Sequence, residues 1–319
     1  MKKAWMIPAA AVSAAVSAAA AACGTAYGIF RYAFARGKEG SELNDIHYKP
    51  LEPYREEIDA GIRWFLDHNP EEVFIRSDDG LKLHGWYLPH PNPRGVIVLV
   101  HGYRGSWSTE FSCVYPYYHE LGFSVLTYWQ RTHGTSEGDT VTFGLMERTD
   151  CLRWIEYLNT RIPKDLPILL DGISMGASTV MMAAGLDLPS NVRGIIADSG
   201  FTCPWDEIAY VMKHAHVPVR PLLDLLNLQF KRKTGLDLRE CDTLKILPHV
   251  RIPMIFLHGE ADTLVPCRFS VQNYEACGSQ HKRLILVPGA EHGMGYLTEC
   301  DRCRREIQAF FDLCTKTEA

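Results

Sequence analysis

One pentapeptide constrains this chain more than any other feature: Gly172-Ile173-Ser174-Met175-Gly176. It lies between an apolar β-rich run, Ile168–Leu170, and a helical stretch, Ala177–Ala184. A strand that passes directly into a helix must turn sharply. Small residues on either side let the backbone double back, so that the serine hydroxyl projects above the sheet edge. Such a turn requires a sheet ending at the serine and a helix starting after it.

The rest of the chain supplies that scaffold. Short β-rich runs fall at Glu72–Arg76, Leu81–Tyr87, Val96–Val100, Ser124–Tyr128, Ile168–Leu170, Gly194–Ala197, Pro253–Leu257 and Arg283–Val287. Helical patterns lie near Tyr54–His68, Trp107–Leu121, Phe143–Arg161, Met175–Gly185, Arg268–Cys277 and Cys300–Leu313. This alternation predicts an α/β fold, a mostly parallel eight-stranded sheet with helices on both faces. The first two runs have no helix between them and should pair as a hairpin around Asp79-Gly80. Between Asp198 and Arg251 no convincing strand occurs, and the leucines there suggest a small helical cap, about 199–250, inserted into the fold.

At 319 residues the chain can bury a large core. Its formal charge of −5 is spread without a basic block, which argues against a nucleic-acid partner. Ten scattered cysteines read as buried free thiols rather than a disulfide framework. Cys300 and Cys303 form one C-x-x-C, with no second pair or nearby histidine to complete a zinc site.

The N-terminus stands apart. After Lys2 and Lys3 no charge occurs from Ala4 to Phe30, long enough as a helix to cross a hydrocarbon core of about 30 Å. Residues 1–34 are therefore expected to form an uncleaved signal anchor to the cell membrane, in preference to a cleaved signal peptide or a lipid-modified Cys23. Residues 35–70 follow as linker and helix, and 71–314 as the main domain.

A serine nucleophile needs a base, and His292, in Gly289-Ala290-Glu291-His292-Gly293, follows one strand and precedes the last helix. The base needs a carboxylate to fix its tautomer, and Asp262 lies just past another strand end. Asp198, ending the Gly194–Ala197 strand, is its rival. Two backbone donors for an oxyanion are expected from Met175, after the nucleophile, and from Tyr103 in His101-Gly102-Tyr103-Arg104-Gly105. His101, His133 and His258 also sit near strand ends, and their expected roles are structural.

With these residues assembled, the chain resembles the α/β-hydrolase superfamily over about Glu71 to Leu313. The motifs H-G-Y-R-G, G-I-S-M-G, H-G-E-A-D-x-x-V-P and G-A-E-H-G carry the resemblance in order and spacing. It is most similar to bacterial serine hydrolases with an N-terminal membrane segment, relatives of monoacylglycerol lipases and acyl-peptidases. The run Arg131-Thr132-His133-Gly134-Thr135-Ser136 matches that group's R-x-H-G-x-S loop. Where the group has an Asp two residues before that arginine, this chain has Trp129, which calls the loop's usual anchoring into question.

The resemblance implies a cofactor-free and metal-free serine esterase acting on a small acyl substrate, with thioesters and amides as alternatives. The contrasting reading is a catalytically silent, membrane-tethered binding protein. The cap's apolar residues, Phe201, Trp205, Ile208, Met212, Leu222, Leu225, Leu226 and Phe230, are expected to shape the acyl pocket.

Overall fold

The computed structural model describes residues 9–37 and 48–316. The start of the expected anchor (1–8) and most of the expected linker (38–47) lie outside the described residues. Eight strands form one sheet: β1 (Glu71–Arg76), β2 (Lys82–Leu88), β3 (Gly95–Val100), β4 (Phe123–Tyr128), β5 (Ile168–Ile173), β6 (Val192–Asp198), β7 (Met254–Gly259) and β8 (Lys282–Val287). Their order is β1-β2-β4-β3-β5-β6-β7-β8. β1 and β2 pair antiparallel around the Gly80 turn, β2 pairs antiparallel with β4, and every later pairing is parallel. Gly80 takes φ +88°, a left-handed conformation glycine adopts without steric cost.

The helices preceding the central strand are α1 (Ala9–Ala33), α2 (Arg55–Asp67), α3 (Trp107–Glu110), α4 (Tyr115–Glu120) and α5 (Glu147–Asn159). After β5 come α6 (Met175–Ala183), α7 (Pro204–His214), α8 (Leu222–Thr234) and α9 (Thr243–Ile246). The chain closes with α10 (Arg268–Ala276), α11 (Gly295–Thr298) and α12 (Cys300–Cys314). Two helices depart from expectation for local reasons. The Trp107–Leu121 pattern is split, with Pro116 in the first turn of α4, where its missing N–H is harmless. Positive φ at Phe143 and Gly144 delays α5 until Glu147.

Strands β3, β4 and β7 are buried along their whole length, as a parallel sheet covered on both faces requires. Alternate residues serve opposite layers. Ile97, Leu99, Leu169 and Ile196 pack with Phe65, Tyr118 and Phe311 from α2, α4 and α12. Val98, Leu170 and Phe256 pack with Trp154 of α5 and Val180 of α6.

A third cluster lies outside the sheet. The α7–α8 segment between β6 and β7 buries Phe201, Trp205, Ile208, Leu226 and Phe230 together with Ala26 and Phe30 from the N-terminal helix and Phe34 just after it. Phe34 is fully buried, with its ring about 5 Å from those of Phe30, Phe143 and Phe230. Beyond it, Val141 N–H donates to the Phe34 carbonyl, and the Arg36 guanidinium donates to the carbonyls of Gly134, Ser136 and Gly138. The second half of α1 and the residues after it are docked on the domain. Apolar residues four apart (Ala26, Phe30, Phe34) give that stretch a face to bury. Among the described residues, no helix is long and apolar enough to cross a membrane.

Candidate active site

The loops that follow β3, β5, β7 and β8 meet at one edge of the sheet, the carboxyl ends of its parallel strands. In open α/β sheets that is where a crevice forms. Ser174 sits between β5 and α6 with φ +57° and ψ −119°, a conformation that costs a non-glycine residue energy. Its neighbours explain how the turn closes. A side chain at Gly176 would collide with the Val100 carbonyl, and one at Gly172 would collide with Gly176 itself. The turn is held by Ser174 N–H donating to the Asp198 carbonyl at 2.7 Å.

Ser174 Oγ donates to His292 Nε2 at 2.9 Å, and His292 Nδ1 donates to Asp262 Oδ2 at 2.6 Å. Asp262 Oδ1 accepts from the backbone N–H groups of Leu264 and Val265, at 2.9 and 2.8 Å. Burial works to raise the Asp262 carboxyl, but hydrogen bonds from His258 and His292, with their charge, hold it well below the usual carboxylate range. For His292 the balance also favours the charged form. Desolvation opposes it, and the hydrogen bond and charge of Asp262, helped by Asp198 and Glu110, raise its pKa above the ordinary value. The rival carboxylate, Asp198, accepts from Ser199 Oγ at 2.8 Å, and burial pushes it up to about 6.

Tyr103 lines the same cavity as Ser174, and Met175 follows the serine in the chain. Neither backbone N–H donates to an acceptor among the described residues, which leaves both available to a substrate oxygen. The loop carrying Tyr103 is braced by a residue that no motif marks. Gly102 N–H donates to Glu110 Oε2 at 2.7 Å. A side chain at Gly102 would lie 3.1 Å from Ser174 Cβ and 3.2 Å from Glu110 Oε1, so this glycine makes room for both.

The other strand-end histidines take different partners. His101 is fully buried, with Nδ1 donating to the Gly102 carbonyl and Nε2 accepting from Gln130 N–H. His133 Nε2 accepts from Arg104 N–H. His258 does more than shape its turn: Nε2 faces two acceptors, Asp262 Oδ2 at 3.1 Å and the Val265 carbonyl at 2.8 Å, so it carries the proton and steadies Asp262. The Arg131–Ser136 loop is anchored despite Trp129. Arg131 makes a two-point pair with buried Asp150, at 2.6 and 2.8 Å, and also bonds Asp79. Ser136 Oγ donates to the Trp129 carbonyl, using its backbone where a carboxylate was expected. The C-x-x-C pair sits on α12, where burial pushes the Cys303 thiol up to about 12, away from redox reactivity.

Beside Ser174 lies a cavity of about 180 Å³. Its lining includes Gly102, Tyr103 and His292 together with Tyr118, Asp171 and Ile307. The expectation for the cap is corrected here. None of its eight apolar residues lines this cavity; most are consumed in packing against α1 and α6. The walls come instead from β5, β6, β7, α2, α4, α11 and α12, on the opposite face of the sheet from α6. Tyr48, whose hydroxyl donates to the His292 carbonyl at 3.2 Å, also lines it. An apolar stripe on a helix reads the same in sequence whether it faces a cavity or another helix.

The family described as serine aminopeptidase, S33, matches this chain over residues 91–240 and 241–296. The protein YqkD of Bacillus subtilis is 28% identical over 240 residues, which cover 75% of this chain and 78% of the relative. An uncharacterized membrane protein of Saccharomyces cerevisiae is 24% identical over 223 residues, 70% of this chain and 73% of the relative. Among solved structures, the esterase Pf2001 of Pyrococcus furiosus superposes with a TM-score of 0.66 at 23% identity, over 79% of this chain and 94% of that one. At that identity the likeness speaks for the fold.

Proposed function

Because the chain belongs to the serine aminopeptidase S33 family of α/β-hydrolases, we propose that it is a serine hydrolase that cleaves a carboxylic ester through an acyl-enzyme. The observation that carries this reading is the linear arrangement Ser174–His292–Asp262, with both hydrogen bonds under 3 Å. In the proposed cycle, His292 Nε2 takes the Ser174 proton as Oγ attacks the ester carbonyl. The oxygen that gains charge is received by the N–H groups of Tyr103 and Met175. His292 then returns the proton to the departing alcohol, and water repeats the sequence on the acyl-serine. Asp262, ionised throughout, keeps the histidine tautomer fixed and stabilises its charged state.

The small, largely apolar cavity favours an acyl group over a folded peptide. The uncharged run Ala4–Phe30, together with the yeast relative's description as a membrane protein, supports membrane association of the N-terminal segment.

Treatment with a fluorophosphonate, followed by a panel of acyl esters, thioesters and aminoacyl amides, tests the proposal. Labelling of Ser174 with turnover led by esters is expected. A folded protein that neither labels nor turns over any substrate would favour the silent binding reading. Turnover led by amides would move the activity to the aminopeptidase side of the family.

A further inference from the structure

The cavity beside Ser174 is not lined by apolar groups alone. Its lining includes a polar pair: Tyr118 Oη of α4 donates to Asp171 Oδ2 of β5 at 2.6 Å. Tyr118 is 1% and Asp171 5% exposed, and both line the cavity with Ile196 and Ile307. Among the described residues, Asp171 Oδ1 accepts no hydrogen bond. A carboxyl oxygen that opens into a mostly apolar cavity with no donor of its own is poorly served unless a donor reaches it. Asp198, 4% exposed, is the second carboxyl on this wall, and only one of its oxygens is bonded, to Ser199.

Only Gly172 and Ile173 lie between Asp171 and Ser174, three steps of about 3.3 Å, or about 10 Å along the chain. A group held at Asp171 would therefore belong to the same substrate molecule that reacts at Ser174. The half of an ester that must remain bound is the acyl half, because the alcohol departs before water attacks.

Resting on the hydrolase reading above, we propose that the Asp171–Tyr118 pair is a specificity site for acyl groups that carry a hydroxyl at the end of an apolar chain. The chain packs between Ile196, Leu257 and Ile307. The hydroxyl donates to Asp171 Oδ1 when the carboxyl is ionised, and accepts its proton when it is neutral. A hydroxyl serves both states with a single atom. That matters because burial, with the charge of Asp198 adding to it and the Tyr118 bond opposing it, pushes Asp171 up to about 7. An ammonium would be served only by the ionised form, and a methyl end by neither.

The test uses the full-length protein and matched p-nitrophenyl esters, hexanoyl, octanoyl and decanoyl, each with its ω-hydroxy counterpart. The ratio of kcat/KM for hydroxy over plain ester should reach about ten- to a hundredfold at the best length, chiefly through KM. It should rise as pH passes through about 7, where Asp171 becomes the stronger acceptor. The charged and titratable groups that line the cavity with Asp171 are Tyr118 of α4, Asp198 of β6, Tyr296 of α11, and Tyr48, Tyr103, Glu110, Cys113 and His292. Because the two esters of a pair share the same catalytic histidine, its titration cancels from the ratio. Asp171→Leu should collapse the preference to within about threefold while plain esters improve. If that variant does not fold, Asp171→Asn keeps the shape and should make the ratio independent of pH. Plain esters turned over without hydroxyl preference, a ratio unmoved in Asp171→Leu, or a pH-dependent ratio surviving in Asp171→Asn would each overturn the proposal alone. Loss of all ester turnover together with Ser174 labelling would overturn the hydrolase reading and this proposal with it. An ω-amino ester preferred over the ω-hydroxy one would overturn the assignment to hydroxyl.

Discussion

At the scale of single residues, the site is a set of groups each made usable by its neighbours. Ser174 keeps a left-handed φ because Gly176 lets α6 approach the Val100 carbonyl. Gly176→Ala should therefore abolish turnover and lower stability by about 1–3 kcal/mol, since backbone on both sides cannot yield. Urea unfolding of the variant measures the second part. Asp262→Asn should cut kcat by about 10⁴-fold, the scale set when a triad acid can no longer fix its histidine. Asp198→Asn should cost far less, and the reverse order would exchange their roles. The pH dependence follows from His292. Its pKa is raised, the imidazolium cannot accept the serine proton, and activity is thus lost as pH falls. The acid limb of kcat/KM should lie above 6.5, the ordinary histidine value. A limb at or below that value would contradict the Asp262–His292 coupling.

At the scale of elements, the N-terminal helix and the cap stabilise one another. Phe34 fills a fully buried position among rings of α8 and the Phe143 loop, and Phe→Ala changes at such sites cost about 3–5 kcal/mol. Phe34→Ala should release this segment, seen as new protease cleavage between residues 20 and 37 under conditions where the parent chain resists. A protein truncated to begin at Glu39 would lose Phe30, Phe34 and Arg36 together, and should be less stable than one beginning at Ala20. Equal melting temperatures for the two would contradict the docking. The strands were legible in sequence, because β-branched runs between turn residues have few other outcomes. The α3–α4 break and the delayed start of α5 were less so, since they depend on one proline and two left-handed residues. The destination of the cap's apolar face was illegible: its partners, Phe30 and Phe34, lie far away in sequence within a segment that reads as a membrane span.

At the scale of the whole molecule, parallel strand order brings distant loops to one edge, which is why Ser174, Asp262 and His292 could be paired from motifs and chain order alone. Glu110, Tyr48, Asp171 and Tyr118 could not, because each acts through a contact across elements and none belongs to a motif. Asp171 did leave a trace, a carboxylate inside the otherwise apolar run before the pentapeptide. The proposed membrane association also belongs at this scale. Full-length protein should stay with membranes through a carbonate wash, and release into the wash would contradict it. The central claim, a covalent acyl-serine, is tested most directly by intact-mass spectrometry of full-length protein quenched in acid seconds after mixing with p-nitrophenyl octanoate. The account predicts a mass increase of one acyl group, mapped to the peptide containing Ser174 and absent from Ser174→Ala. Hydrolysis with no adduct on any time scale, or an adduct that persists in Ser174→Ala, would contradict it.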